Sequence, residues 1–79
     1  LFNQFVFSNV ASRLAGTLLE HRALEGSDVL PVTHEVLARD AGTAREVVSR
    51  LLKQFQADGL VRLTRGKVEI IDAGRLGKI

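Results

Sequence analysis

No cysteine, methionine, tryptophan or tyrosine occurs among the 79 residues, and proline occurs once. The lack of cysteine excludes a disulfide framework, a thiolate metal site and a cysteine nucleophile. Histidine is scarce as well: His21 and His34 do not stand at metal-ligand spacing. A long apolar run is also missing. Leu1 to Val10 is apolar, but Arg13 and Glu20 end it short of the roughly 20 residues a bilayer crossing requires, and it lacks the basic start of a signal peptide. Glycine is present without the clustering of a phosphate loop, and Gly66, with no flanking pattern, reads as a turn residue. Glu46 with His34 is the one conceivable acid/base pair. No nucleophile or metal cluster accompanies it, so no enzymatic activity is expected, and no metal or cofactor is expected within this segment. The chain opens on Leu1-Phe2 rather than Met, as a fragment of a longer protein would.

Hydrophobic residues make up 46% and charged residues 25%, enough apolar content to argue against disorder. The length suits one small domain, residues 1–79, with a modest core. The chain is organised around Thr33-His34-Glu35-Val36-Leu37-Ala38-Arg39-Asp40-Ala41-Gly42, followed directly by Thr43-Ala44-Arg45-Glu46-Val47-Val48-Ser49-Arg50-Leu51-Leu52-Lys53-Gln54-Phe55. Thr33 is placed to cap a helix, with Glu35 in the first turn, where the helix dipole favours a negative charge. Val36, Leu37 and Ala41 supply that helix's apolar side. Gly42 falls where a helix stops, since glycine accepts the left-handed backbone of a C-terminal cap. Thr43 is expected to cap the next helix, because Thr43-x-x-Glu46 has the form of a capping box. A short helix, a glycine turn and a longer amphipathic helix over 33–55 make the helix-turn-helix pattern.

Advancing about 100° per residue resolves the second helix into two faces. Val48, Leu52, Phe55, Leu51 and Ala44 fall on one side and should be buried. Glu46, Arg50, Lys53 and Thr43 fall on the other, with Ser49 on the flank and Arg45 in the first turn, where its long side chain reaches outward. This inventory suits groove reading: arginine forks onto guanine O6 and N7, glutamate accepts from cytosine N4, and serine contacts base or phosphate. The plainer reading is a solvated face with a Glu46–Arg50 pair at i,i+4.

The flanks complete the domain. Leu1 to about His21 reads as the first helix, with Val10, Leu14 and Leu18, flanked by Ala11, Ala15 and Leu19, facing the core. Phe2, Phe5, Val6 and Phe7 are denser than one face of so small a domain can hide. They read either as core extension or as surface that packs on a further domain or a second subunit. Ala23 to Val32 is a connection, turn-forming at Glu25-Gly26-Ser27-Asp28, with Pro31 holding Leu30 extended before Thr33. Leu60 to Leu63 and Lys67 to Ile71 read as strands around Thr64-Arg65-Gly66. This hairpin, over 60–71, is the wing, with Arg65 and Lys67 at its tip as point charges for phosphate. Asp72 to Ile79 reads as a short helical turn or a frayed tail. The expected fold is mainly α with a small β-hairpin (α+β): a winged helix-turn-helix with a three-helix core. Residues 33–67 carry seven Lys/Arg against four Asp/Glu, whereas the flanks are slightly acidic or balanced. The positive excess therefore lies in the motif itself, the distribution expected of a segment that meets a polyanion.

Three runs carry a family resemblance: Leu30 to Ala38, Gly42 to Lys53 and Gly59-Leu60-Val61. Together they resemble the C-terminal domain of the CRP/FNR superfamily of bacterial transcription regulators, over about Ser8 to Asp72, most specifically in the Arg-Glu-x-x-Ser-Arg run. The resemblance implies that Arg45, Glu46, Ser49 and Arg50 read bases. The residues' own placement at helix starts, on the outer face and at the wing tip sets Thr33, His34, Thr43, Lys53, Arg65 and Lys67 toward phosphate. The resemblance also implies double-stranded DNA with a palindromic operator as partner, a homodimer in the full-length protein, contact with RNA polymerase, and a cytoplasmic rather than membrane location. Residues 1–7 then correspond to the end of a dimerisation helix or an interdomain hinge. The family's sensor domain lies outside this segment, so its effector is open between a cyclic nucleotide, a haem, an oxygen-labile cluster and none. A winged helix used only for protein interaction or dimerisation is the alternative; it would lack the outward arginines and serine of the second helix.

Overall fold

The computed structural model describes residues 2–79, with side chains from Val10 onward. Its elements are α1 (Phe2–Glu25), β1 (Val29–Leu30), α2 (His34–Ala41), α3 (Arg45–Ala57), β2 (Val61–Thr64), β3 (Lys67–Ile70) and α4 (Ala73–Leu76). Each layer of the core comes from residues whose spacing aims them inward. Leu14 and Leu18 of α1, Leu37 of α2, and Val48 and Leu52 of α3 are fully buried together with Leu30 and Val68 of the sheet. Burying each such side chain stabilises by about 1.5–3 kcal/mol relative to leaving it exposed. The Phe2, Phe5, Val6 and Phe7 side chains lie outside the described residues. Among the described residues no helix is long and apolar enough to cross a membrane.

The first helix runs on to Glu25, past the expected end at His21. Its last turn is solvated, with Leu24 exposed, so no apolar periodicity marks where it stops. Gly26 ends it, its N–H donating to the Arg22 carbonyl. The connection that follows contains a strand the sequence does not signal. Val29–Leu30 pairs antiparallel with β3, Val29 opposite Glu69 and Leu30 opposite Val68, and two residues are too few to show a strand's alternation.

The helix-turn-helix turn is closed differently from the expected capping box. Gly42 adopts the left-handed conformation (φ 69°), and the Thr43 N–H donates back to the Ala38 carbonyl at 2.9 Å. Thr43 is thus part of the end of α2, the outer bond of a Schellman closure. Ala44 takes the N-cap position of α3 and offers no side-chain cap. At the start of α2 the expectation holds: the Val36 N–H donates to Thr33 Oγ1 at 3.2 Å. Ala38 is buried on this helix and Val36 only half-buried.

The sheet order is β1-β3-β2, all antiparallel, with β2 and β3 in hairpin register from Val61 opposite Ile70 to Thr64 opposite Lys67. The hairpin turn is Arg65-Gly66, tighter than the three residues expected, and Gly66 alone takes a positive φ, 71°. That placement, at the third position of the turn, is the one a type II turn requires. The edge strand β2 is tied to α3 because the Leu63 N–H donates to Gln56 Oε1 at 2.7 Å. The C-terminal tail is ordered by α4: Asp72 caps it through Oδ1, accepting from the Arg75 N–H, and Leu76 is fully buried.

Candidate nucleic-acid interface

The buried stripe of α3 dictates what its other side presents. With Val48, Leu51, Leu52 and Phe55 buried, Arg45, Glu46, Arg50 and Lys53 are exposed. Ala44, expected in the stripe, is exposed as the cap residue. Arg45, Glu46, Ser49 and Arg50 line one open hollow on this face. Neither Glu46 nor Arg50 takes part in an ion pair among the described residues. The i,i+4 pairing that would mark a merely solvated face is thus not formed, and both side chains are left to face outward.

A second cleft, of about 310 Å³, lies beside it, between the start of α2, the first turn of α3 and the wing. Val32, Thr33, His34, Glu35, Arg45, Thr64, Gly66 and Lys67 line it. Of the residues expected at phosphate, Thr33, His34 and Lys67 meet here. Thr33 uses its hydroxyl oxygen as cap acceptor, which leaves the hydroxyl proton to donate outward. Lys53 stands further along α3, and Arg65 at the turn does not line the cleft. Thr43 is half-buried and its N–H is consumed in ending α2, so only its hydroxyl is left for a ligand. Ala44 brings no side-chain acceptor and its carbonyl takes the Val47 N–H, which leaves the Arg45 and Glu46 amides of the first turn of α3 without a cap acceptor, the arrangement in which a helix N-terminus accepts a phosphate.

His34 and Ser49, fifteen residues apart in sequence, are joined by a hydrogen bond of 2.8 Å between Nδ1 and Oγ. Both side chains are half-buried. The imidazole is held below the ordinary histidine pKa, first by burial and then by the positive charges of Arg45 and Lys53. No spacing rule reveals this pair, because it depends on how α2 crosses α3. Two further contributors escape the sequence: Thr64 and Gly66, whose place in the cleft follows from the hairpin's position against α2.

A helix-turn-helix whose second helix turns a cationic, serine-bearing face outward beside a small antiparallel sheet is a winged-helix domain of the DNA-binding class. Residues 12–79 match the model of the Crp-like helix-turn-helix domain, and the chain belongs to that family, the CRP/FNR type. It is 37% identical over 73 residues to the cyclic AMP receptor protein of Thermus thermophilus, covering 92% of this chain and 34% of that protein. It is 36% identical over 59 residues to the transcriptional regulator SdrP of the same organism, covering 75% of this chain and 29% of that protein. The crystal structure of the Thermus thermophilus catabolite activator protein superposes with a TM-score of 0.89 at 35% identity, over 98% of this chain and 36% of that one. A crp/fnr-family protein from Eubacterium rectale does so with a TM-score of 0.84 at 46% identity, over 86% of this chain and 32% of that one. The chain spans about a third of the length of the curated relatives it matches.

Proposed function

We propose that this chain is the output domain of a CRP/FNR-type transcription regulator and reads operator DNA sequence-specifically, with α3 in the major groove. The observation that carries this reading is the shared outward hollow of Arg45, Glu46, Ser49 and Arg50 next to the cleft holding Thr33, His34 and Lys67. Groups suited to reading bases thus stand beside groups suited to holding phosphate, which supports a division of labour between discrimination and affinity. Arg45 and Arg50 fork onto guanine, and Glu46 accepts from a cytosine or adenine amino group. Thr33, His34, Thr43, Lys53, Arg65 and Lys67 hold the phosphates on either side. The domain itself carries no cofactor and no catalytic role; the effector acts through a sensor domain. A palindromic operator, a homodimer, contact with RNA polymerase and a cytoplasmic setting complete the proposal, with residues 1–7 as the end of the dimerisation helix or a hinge.

Selection of bound duplexes from a randomised library, followed by titration of the winners against scrambled controls, tests it. Enrichment of a short half-site bound well above the controls is expected. Equal binding of all duplexes, or none, would overturn the reading.

A further inference from the structure

We propose that His34 sets the hydrogen-bond polarity of Ser49 in the groove, and so decides which class of base atom that position reads. This rests on α3 lying in the major groove as proposed above. The contact is the 2.8 Å hydrogen bond between His34 Nδ1 and Ser49 Oγ, made on the cleft side of α3, where His34 lies with Thr33, Arg45 and Lys67.

A serine hydroxyl has one proton and two lone pairs, and a neutral imidazole has one nitrogen of each kind. When a DNA phosphate in the cleft accepts from Nε2–H, Nδ1 is left bare. Ser49 must then donate its proton to Nδ1, and its oxygen faces the groove as an acceptor. It pairs with an amino group, adenine N6 or cytosine N4. When the imidazole takes a second proton, Nδ1–H donates to Ser49 Oγ instead. The hydroxyl proton is released toward the groove and pairs with guanine O6 or N7, or thymine O4. One proton on His34 therefore inverts what Ser49 reads, without moving a heavy atom. The charged groups around the imidazole are Arg45 and Lys53 of α3, Lys67 of the wing and Glu35 of its own helix. Burial, Arg45 and Lys53 lower its pKa in the free domain, whereas an approaching phosphate favours the charged form. The two states are thus brought within reach of each other on DNA.

The test is duplex selection with the 79-residue chain, run at mildly alkaline pH and again about one unit below the ordinary histidine pKa. Wild type should change its preferred base at one position by about threefold to tenfold, the size of one hydrogen bond, while the positions read by Arg45 and Arg50 stay the same. Ser49→Ala and His34→Ala should each abolish that pH-dependent switch, and the double variant should behave like either single one. Imidazole nitrogen NMR should show the Nε2–H tautomer in the alkaline complex. Sequence-specific binding in which His34→Ala keeps both the preference and its pH dependence would overturn this inference alone, as would a pH-invariant wild type. Loss of all sequence preference in wild type would overturn it together with the functional reading. Since Ser49→Ala leaves the first turn of α2 untouched, the test survives any misfolding of His34→Ala.

Discussion

Arg50 is exposed on α3, in the same hollow as Glu46 and Ser49, so its guanidinium is free to fork onto a base. Truncating it to alanine should cost about 1–3 kcal/mol on a preferred half-site and relax discrimination at one base pair. Competition titrations against every base at that position would show this; equal losses on preferred and random duplexes would assign Arg50 to the backbone instead. His34 makes a separate prediction for the free domain. Its folded pKa lies below its unfolded value, so the unfolded chain binds the proton more readily. Stability should therefore fall as pH drops through the ordinary histidine range and level off once the folded group is also protonated. Melting curves over that window should slope in wild type and flatten in His34→Gln; an identical slope in both would place the titration elsewhere.

At the scale of elements, the wing depends on α3 as well as on its own ladder. The Leu63 N–H is on edge strand β2 and finds its acceptor in Gln56 of α3. Gln56→Ala removes one hydrogen bond worth about 0.5–1.5 kcal/mol, and amide exchange at Leu63 should accelerate by the corresponding factor. Unchanged exchange would mean that another group holds the edge. The wing's role in binding is tested by salt. Lys67 lines the cleft and Arg65 sits at the turn, and neutralising either should lower the slope of log affinity against log salt by about one. If only the Lys67 variant changes its slope, the cleft rather than the tip carries the phosphate contact.

For the whole molecule, the fully buried Leu76 of α4 joins the same core as Leu14, Leu37 and Leu52. Leu76→Ala should cost about 2–5 kcal/mol, as cavity-forming truncations do, a large share of the stability of so small a domain. Thermal unfolding would register it; a loss below half a kcal/mol would show that the tail is not part of the cooperative unit. Assembly is the other question at this scale. Two helix-turn-helix modules read half-sites about 34–36 Å apart, and linkage between them multiplies affinity by orders of magnitude. This segment by itself should bind a palindrome weakly and as independent copies. Tight cooperative binding by a monomeric segment, measured by sedimentation alongside titration, would refute that expectation.

Local chemistry was legible from the residues alone wherever one side chain or one backbone conformation decided the outcome. Thr33 capping α2, Gly42 turning left-handed, the stripe of Val48, Leu51, Leu52 and Phe55, and the glycine at the hairpin turn were all accessible in this way. The outward set Arg45, Glu46 and Arg50 followed, because a helix with one buried stripe has only one other side to offer. Where two local signals competed, tertiary geometry decided: Thr43 has the look of a cap, yet its N–H closes α2 and Ala44 begins α3. Tertiary structure alone supplied β1, which is a strand only because β3 lies beside it, and the burial of Leu76. It alone also joined His34 to Ser49. Such contacts depend on the distance between elements far apart in the chain, and periodicity carries direction but not distance.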